Sequence, residues 1–329
     1  MKKLFARTIG AYADVACLVF LLCLFLAAFP APARAQVTIA QISDTHLGES
    51  HAPHAAENLR RVVEMVNSRH PDAVVLSGDI GENPEEWERA RGILKGLHAP
   101  LYYAPGNHDV HSDDVQRYRD VFGPDYYRFQ VKGVTFVVID SELLGNYDDF
   151  NAQPLRPVSQ RTEAEGQKML SWLAQQGQGG DNRGKDRHKD HDRDADDRRN
   201  QDHDRDADDR HDQDHDRDRD DRGGKIIIGI QHIPLFRGNN LPGDPKPYWT
   251  VNDPYRSREL DLLHKLGIRH MLVGHWHVGT TFEREGITWH VAPSTSRPLQ
   301  WSNGLGFSMH TISPDGDVKT EFVRLNAEP

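Results

Sequence analysis

The sequence predicts an α/β fold with a second β-sheet packed on the first. Three observations carry the prediction. Strand-like apolar runs and helical patterns alternate three times between Val37 and Gly106. Each of these strand runs ends in a short polar cluster. Beyond residue 126 the alternation gives way to hairpin-like pairs and isolated buried runs, which suit a further sheet.

Two segments stand outside this fold. Lys2, Lys3 and Arg7 precede an apolar run from Val15 to Phe29, then Pro30 and the small-x-small site Ala33-Arg34-Ala35. A charged start, a short apolar stretch and a cleavage signature describe a signal peptide over residues 1–35. The run has 15 residues, fewer than the roughly 20 of a spanning helix. The expected mature protein is therefore exported, periplasmic or secreted, with no stable membrane span. Both cysteines, Cys17 and Cys23, fall in this leader, so the mature chain forms no disulfide and must bind metals through His, Asp and Asn.

The second segment is residues 181–224. The unit Asp-His-Asp-Arg-Asp starts at Asp190, Asp202 and Asp214, a period of 12 residues. Residues 181–222 hold 18 Asp against 12 Lys plus Arg, which is −6 of the chain's net −10. With almost no apolar residue it cannot bury a core, and it is expected to be a disordered insertion. Its alternating charge suits a solvated loop better than a metal trap. Residues 36–180 and 225–329 remain, about 250 residues, as one domain. The acidic balance gives no reason to expect nucleic acid as a partner.

The elements follow in order. Val37 to Ile42 is a strand, followed by Ser43-Asp44-Thr45-His46. His54 to Arg69 spaces Leu59, Val62, Val63 and Val66 as one helical face. Ala73 to Leu76 is a continuous apolar strand, followed by Ser77-Gly78-Asp79. Pro84 to Leu97 is a helix with proline in its first turn. Leu101 to Tyr103 is a strand that leads into Gly106-Asn107-His108-Asp109. Residues 126–131 and 134–139 form a hairpin joined at Lys132-Gly133. Thr162 to Gln176 is a helix with Thr162 as its cap. Lys225 to Ile230 is a buried strand ending in Gln231-His232. A Gly- and Pro-rich loop over residues 237–254 carries Tyr248 and Trp249, which we expect to anchor it to the domain. Tyr255 to Leu266 is a helix, and Arg269 to Val273 a strand ending in Gly274-His275-Trp276-His277. Pairs near 278–291 and 306–325 close the chain as hairpins.

Five strand ends thus carry Asp44 and His46, Asp79, Asn107 and His108, His232, and His275 and His277. In open α/β sheets ligands bind beyond the carboxyl ends of strands, so these clusters should converge. In Asp-x-His and His-x-His, extended backbone aims residues i and i+2 to one side. Imidazole, carboxylate and amide oxygen together suit Mn, Fe or Zn better than Ca. Seven candidate ligands exceed what one ion takes and suit two ions sharing a carboxylate. Two ions about 3.5–4 Å apart can clamp the attacking and leaving oxygens of phosphoryl transfer.

Taken together, Asp44-x-His46, Gly78-Asp79, Gly106-Asn107-His108-Asp109, His232 and Gly274-His275-Trp276-His277 resemble the signature of the calcineurin-like metallophosphoesterase superfamily. All five stand in that family's order across residues 44–277. The resemblance implies a four-layer αββα fold, a two-sheet sandwich flanked by helices. It implies one divalent ion on Asp44, His46, Asp79 and His277. The other would sit on Asp79, Asn107, His232 and His275, with Asp79 bridging. It implies His108 as the group that protonates or stabilises the leaving oxygen, Asp109 as its orienting partner, and metal-bound hydroxide as the nucleophile of a phosphate-ester substrate. The blocks Phe122 to Tyr127, Ile139 to Ser141 and Gln231 to Phe236 are most similar to the calcineurin-like phosphoesterase domain-containing protein subgroup, which is linked to protein phosphatase activity. That favours a phosphomonoesterase. The opening Gln41 to Leu47 is equally similar to class III cyclic-nucleotide phosphodiesterases, the alternative. Glu82 stands where purple acid phosphatases carry a tyrosine, so no tyrosinate–iron colour is expected.

A reading of another class is an exported, non-catalytic metal-binding protein. The intact His108-Asp109 pair argues against it, because a metal store needs no proton donor. His111 and Arg297 are further candidates for substrate contact. His51 and His54 are expected to face solvent, and Trp276 to face the core.

Overall fold

In the computed structural model, residues 35–110, 115–176, 225–238 and 246–325 are described. The leader before residue 35, the repeats at 181–224 and His111 lie outside them. The elements run β1 (Val37–Ile42), α1 (Ala55–Arg69), β2 (Ala73–Ser77), α2 (Pro84–Leu94), β3 (Leu101–Ala104), α3 (Val115–Phe122), β4 (Tyr127–Val131) and β5 (Val134–Val138). They continue with α4 (Gln160–Gln176), β6 (Ile227–Ile230), α5 (Tyr255–Lys265), β7 (His270–Val273), β8 (Thr280–Arg284), β9 (Ile287–Val291), β10 (Gly306–Ile312) and β11 (Val318–Arg324).

Two mixed sheets form. One has the order β11-β10-β1-β2-β3 and the other β4-β5-β6-β7-β9-β8. In the first, β1, β2 and β3 are parallel, with Ile39 beside Ala73 and Val74 beside Leu101. In the second, β5, β6, β7 and β9 are parallel and antiparallel β4 and β8 close the edges. All strands that precede a ligand cluster belong to the parallel sets, so their carboxyl ends point to one end of the sandwich.

The pleat sorts the core into layers. Val37, Ile39, Ala73 and Val75 pack with Phe136, Val138, Ile228, Ile230 and Leu272 between the sheets. The alternate residues Ala40, Ile42, Val74 and Leu76 face outward and pack in the same cluster as Leu59, Val62 and Val66 of α1. Val137 and Ile139 face outward on the other sheet, in the cluster that holds Met169 and Leu173 of α4. Helices pair on each face, α1 with α2 and α4 with α5. Each fully buried aliphatic side chain contributes about 1.5–3 kcal/mol, so these layers dominate stability. Among the described residues no helix is long and apolar enough to cross a membrane.

The structure adds α3, which the sequence reading left out; Val115 and Tyr118 anchor its buried face. It also moves a cap. Helix α4 begins at Gln160, two residues before the expected start, and Ser159 Oγ rather than Thr162 accepts from a first-turn amide, Thr162 N, at 3.2 Å. Helix α2 begins as expected, with Asn83 Oδ1 accepting from Glu86 N at 3.1 Å and Pro84 in the first turn.

Candidate metal centre

The loops after β1, β2, β3, β6 and β7 meet where the two sheets converge. Backbone bonds lock them together: Asp44 N donates to Gly78 O, His46 N to Asp79 O and Gly274 N to His232 O. Gln41 Nε2 ties the two sheets by donating to Ser77 Oγ on one and Val273 O on the other. Two glycines allow the close approach. A Cβ on Gly106 would lie 2.3 Å from Asp79 Oδ1, and one on Gly274 would lie 2.1 Å from Ser43 Oγ.

Six of the seven expected ligands fall into two clusters of donor atoms, Asp44, His46, Asp79 and His277 in one and Asp79, His232 and His275 in the other. All six are buried, as is Asn107. Asp79 Oδ2 lies 3.6 Å from His46 Nε2 and 3.1 Å from His232 Nε2, between the clusters. His277 Nε2 lies 3.1 Å from both Asp44 Oδ1 and His46 Nε2. Five of the seven, Asp44, His46, Asp79, His275 and His277, have φ between 44 and 70°. That left-handed region costs a non-glycine residue about 1–2 kcal/mol, and such strain concentrates at sites where geometry is imposed.

These residues fit divalent ions. Asp44 Oδ2 and Asn107 Oδ1 are buried without a hydrogen-bond partner, and Asp44 Oδ1 and His232 Nε2 face other atoms of the cluster, His277 Nε2 and Asp79 Oδ2, each at 3.1 Å. Leaving such atoms unpaired is costly in a protein interior, and a cation at each of the two clusters would satisfy them. The outer nitrogens are already engaged. His232 Nδ1 donates to Ser77 O at 2.7 Å and His277 Nδ1 to Arg297 O at 2.7 Å, which fixes each tautomer with Nε2 toward the cluster. His275 Nε2 donates to Tyr248 O at 3.0 Å, so Nδ1 is its ligand atom. The cluster is an Asp/His site for two divalent ions.

The electrostatics follow from the crowding. Burial opposes charge on Asp44, but His277 outweighs it and holds the carboxyl at about 2. Burial also opposes charge on His232, yet Asp79 raises it to about 10. His275 is pushed down to about 3 by burial and by His232. Bound cations add to the pull on the carboxylates and oppose protonation of every imidazole that they face.

His108 stands beside the cluster, its ring 4.7 Å from that of His46. Its partner corrects the sequence reading. Asp109 does not orient it; Asp109 Oδ1 accepts from Ile80 N at 2.8 Å and Oδ2 from Gly106 N at 3.0 Å, pinning the second and third ligand loops together. Glu82 instead bonds His108 Nδ1 at 2.9 Å. Burial works against the imidazolium, but Asp79 and Glu82 raise it to about 9.

A cleft of about 440 Å³ opens over the centre. Tyr147, Phe150, Tyr248, Trp249 and Trp301 form an aromatic wall around it. Arg297 lines it and pairs with Glu49 at 3.1 Å. Tyr248 and Trp249 anchor their loop as expected, and they face the cleft as well. His51 and His54 are exposed and Trp276 is buried.

The family profile described as calcineurin-like phosphoesterase matches residues 37–279, and the chain belongs to that family. Its curated relatives include the glycerophosphodiester phosphodiesterase GpdQ of Enterobacter lignolyticus, 41% identical over 80 residues, 22% of this chain and 29% of that protein. They also include the serine/threonine-protein phosphatase CPPED1 of Mus musculus, 30% identical over 131 residues, 35% of this chain and 38% of that protein. The chain spans under half the length of these relatives. A solved dimetal phosphatase from Danio rerio shares the fold at a TM-score of 0.51 and 11% identity, covering 86% of this chain and 98% of that one. So does GAP50, the anchor in the inner membrane complex of Plasmodium, at 0.50 and 14%, covering 88% and 84%.

Proposed function

We propose that this chain hydrolyses phosphate esters at the two-ion centre, with diesters preferred and His108 giving its proton to the leaving oxygen. The observation that carries the reading is the placement of His108 in the cleft wall, next to a complete ligand set and held by Glu82 at 2.9 Å. One ion would be held by Asp44, His46, Asp79 and His277, and the other by Asp79, Asn107, His232 and His275. When bound, the ions supply Lewis acidity and acidify water near neutral pH. Glu82 engages Nδ1 of His108, so proton transfer to the ester runs through Nε2. The aromatic wall excludes water from one side of the cleft and leaves room for a substituent on phosphorus.

Charge favours the diester. Among the described residues lining the cleft Arg297 is the lone Lys or Arg, and Glu49 already compensates it. Asp148 lines the same cleft. Beyond the ions and the protonated His108, a monoester dianion would find only the compensated Arg297, whereas a diester carries a single negative charge. The monoesterase reading is supported by the similarity of Phe122 to Tyr127, Ile139 to Ser141 and Gln231 to Phe236 to the phosphatase-linked subgroup and by the likeness to the phosphatase CPPED1. We also propose an exported enzyme, on the leader-like character of residues 1–35. Amino-terminal sequencing of the protein from the cell envelope should begin at Gln36, and an intact Met1 would contradict export by cleavage.

The test is hydrolysis of bis-p-nitrophenyl phosphate against p-nitrophenyl phosphate by the Mn²⁺-loaded chain. We expect metal-dependent turnover with higher kcat/KM on the diester, and a fall of about 10²–10⁴-fold in His108→Ala. A monoester preference would restore the phosphatase reading. No metal-dependent turnover of either substrate would overturn the enzyme.

A further inference from the structure

Tyr248 touches two of the proposed ligands, and both belong to the same ion. Its hydroxyl accepts from Asn107 Nδ2 at 2.9 Å, and its backbone carbonyl accepts from His275 Nε2 at 3.0 Å. Its ring lies 4.8 Å from the His275 ring at 40°. Trp249 completes the contact, with its ring 5.4 Å from His275 and its carbonyl accepting from Trp276 Nε1 at 2.8 Å. The first cluster is fixed differently: His277 leans on the Arg297 carbonyl.

An asparagine amide can face a cation with its oxygen or with its NH2 group. Ligation needs the oxygen, and NH2 toward a cation is repulsive. Asn107 Oδ1 is buried, without a hydrogen-bond partner, while Nδ2 is held by Tyr248. With Nδ2 turned to Tyr248, Oδ1 is left for the cluster, the orientation that ligation needs. The same residue fixes the His275 tautomer through a backbone atom that substitution cannot remove. Its position is itself set locally. Pro247, Tyr248 and Trp249 form a 3-10 turn, and Asn252 Nδ2 donates to the carbonyls of Pro247 and Thr250, both at 2.7 Å.

We infer that Tyr248 is a positioning residue for one ion of the pair, the ion on Asp79, Asn107, His232 and His275, and acts through its bond to Asn107. The inference rests on the two-ion reading above. It assigns a selective role: the Tyr248 hydroxyl sets the affinity of that ion and leaves the affinity of the ion on Asp44, His46, Asp79 and His277 unchanged.

The experiment is Mn²⁺ titration of the full chain by calorimetry and electron paramagnetic resonance, comparing wild type with Tyr248→Phe. Losing a partner behind a metal ligand weakens binding about 10–100-fold. We expect that loss for one of the two ions and wild-type affinity for the other. A rescue separates this role from a general packing role. In Asn107→Asp both terminal atoms are oxygens, so the rotamer no longer needs selecting; the hydroxyl can still donate to the carboxylate, and adding Tyr248→Phe should weaken that ion by less than it does beside Asn107. Equal weakening of both ions, wild-type binding of both, or a full loss on top of Asn107→Asp would each overturn the inference. Should wild type bind fewer than two ions, the two-ion reading itself fails, a distinct result from two ions bound tightly by both proteins.

Discussion

Adding one methyl group at Gly106 should dismantle the centre, and the structure sets the size of the effect. A Cβ there would meet Asp79 Oδ1 at 2.3 Å, Asp79 N at 2.4 Å and the Gly78 carbonyl carbon at 3.0 Å. Ordinary contact begins at 3.4 Å, so Asp79 must retreat by about 1 Å in both side chain and backbone. The backbone at Gly106 is not left-handed, so space alone excludes the side chain. Overpacking of this kind costs about 1–3 kcal/mol. Asp79 is the carboxylate between the two clusters, and a misplacement of about 1 Å in a reacting site costs on the order of 10²-fold in rate. Gly106→Ala should therefore weaken both ions together, lower kcat by about 10²-fold or more and reduce the unfolding free energy by about 1–3 kcal/mol. Gly92→Ala is the control. Gly92 lies within α2 with nothing within 4 Å of an added Cβ, so alanine there should stabilise by about 0.5–1 kcal/mol and leave metal binding alone. Urea unfolding and Mn²⁺ titration of both variants measure the contrast. Wild-type metal affinity and stability in Gly106→Ala would refute the packing argument.

Further expectations rest on other residues. Glu82→Gln removes the carboxylate on His108 Nδ1 and should lower kcat about 10–100-fold with both ions still bound, read by steady-state kinetics beside metal content; an unchanged kcat would remove Glu82 from the mechanism. Asp109→Ala strips the acceptor from two buried amides, Ile80 N and Gly106 N, and should cost about 1–3 kcal/mol in chemical denaturation, a smaller loss marking the loops as held by other contacts. His290 is buried between the sheets, against Thr320 Oγ1 at 2.7 Å and His270 at 3.1 Å; burial first, then His270, pushes it down to about 3. Its ordinary value is near 6.5, so its stabilising contribution is complete above about pH 6.5 and is lost as pH falls from there toward 3. By pH 5 that is about 2 kcal/mol, so metal-free wild type should lose about 2 kcal/mol more than His290→Gln between pH 7.5 and 5 in urea titrations, and parallel losses would exclude His290 as the source.

The clustered residues were legible in the sequence because each lies two to four positions beyond a strand end. An apolar run followed by Asp44-x-His46 or His275-x-His277 marks the loop, but the extended backbone expected there is not what aims the side chains, since all four residues are left-handed with φ of 44 to 70°. The second sheet was legible from the late strands, but which face each residue of β1 takes was not, since Val37, Ile39, Ala40 and Ile42 are apolar on both faces. What else was not legible depends on contacts between distant loops. Asp109 follows His108 in sequence, yet its oxygens turn back to Ile80 N and Gly106 N, and the bond to the His108 ring comes from Glu82, 26 residues earlier. Glu82 was visible as a departure from the purple acid phosphatase pattern, but no local rule connects it to His108. Tyr248 lies 141 positions from Asn107 in a loop whose composition says only that it is irregular. Helix α3 was missed because its eight residues are too short for a periodic signal to stand out. The Ser159 cap was missed because Thr162, three residues on, is an equally good capping type.

Asp79 is proposed to bridge two ions held by the residues at five strand ends. Anomalous diffraction at the manganese edge from Mn²⁺-soaked crystals tests it directly. We predict two peaks about 3.5–4 Å apart with Asp79 between them. One peak would lie against Asp44, His46 and His277, and the other against Asn107, His232 and His275. A single peak, or peaks away from these residues, would contradict it.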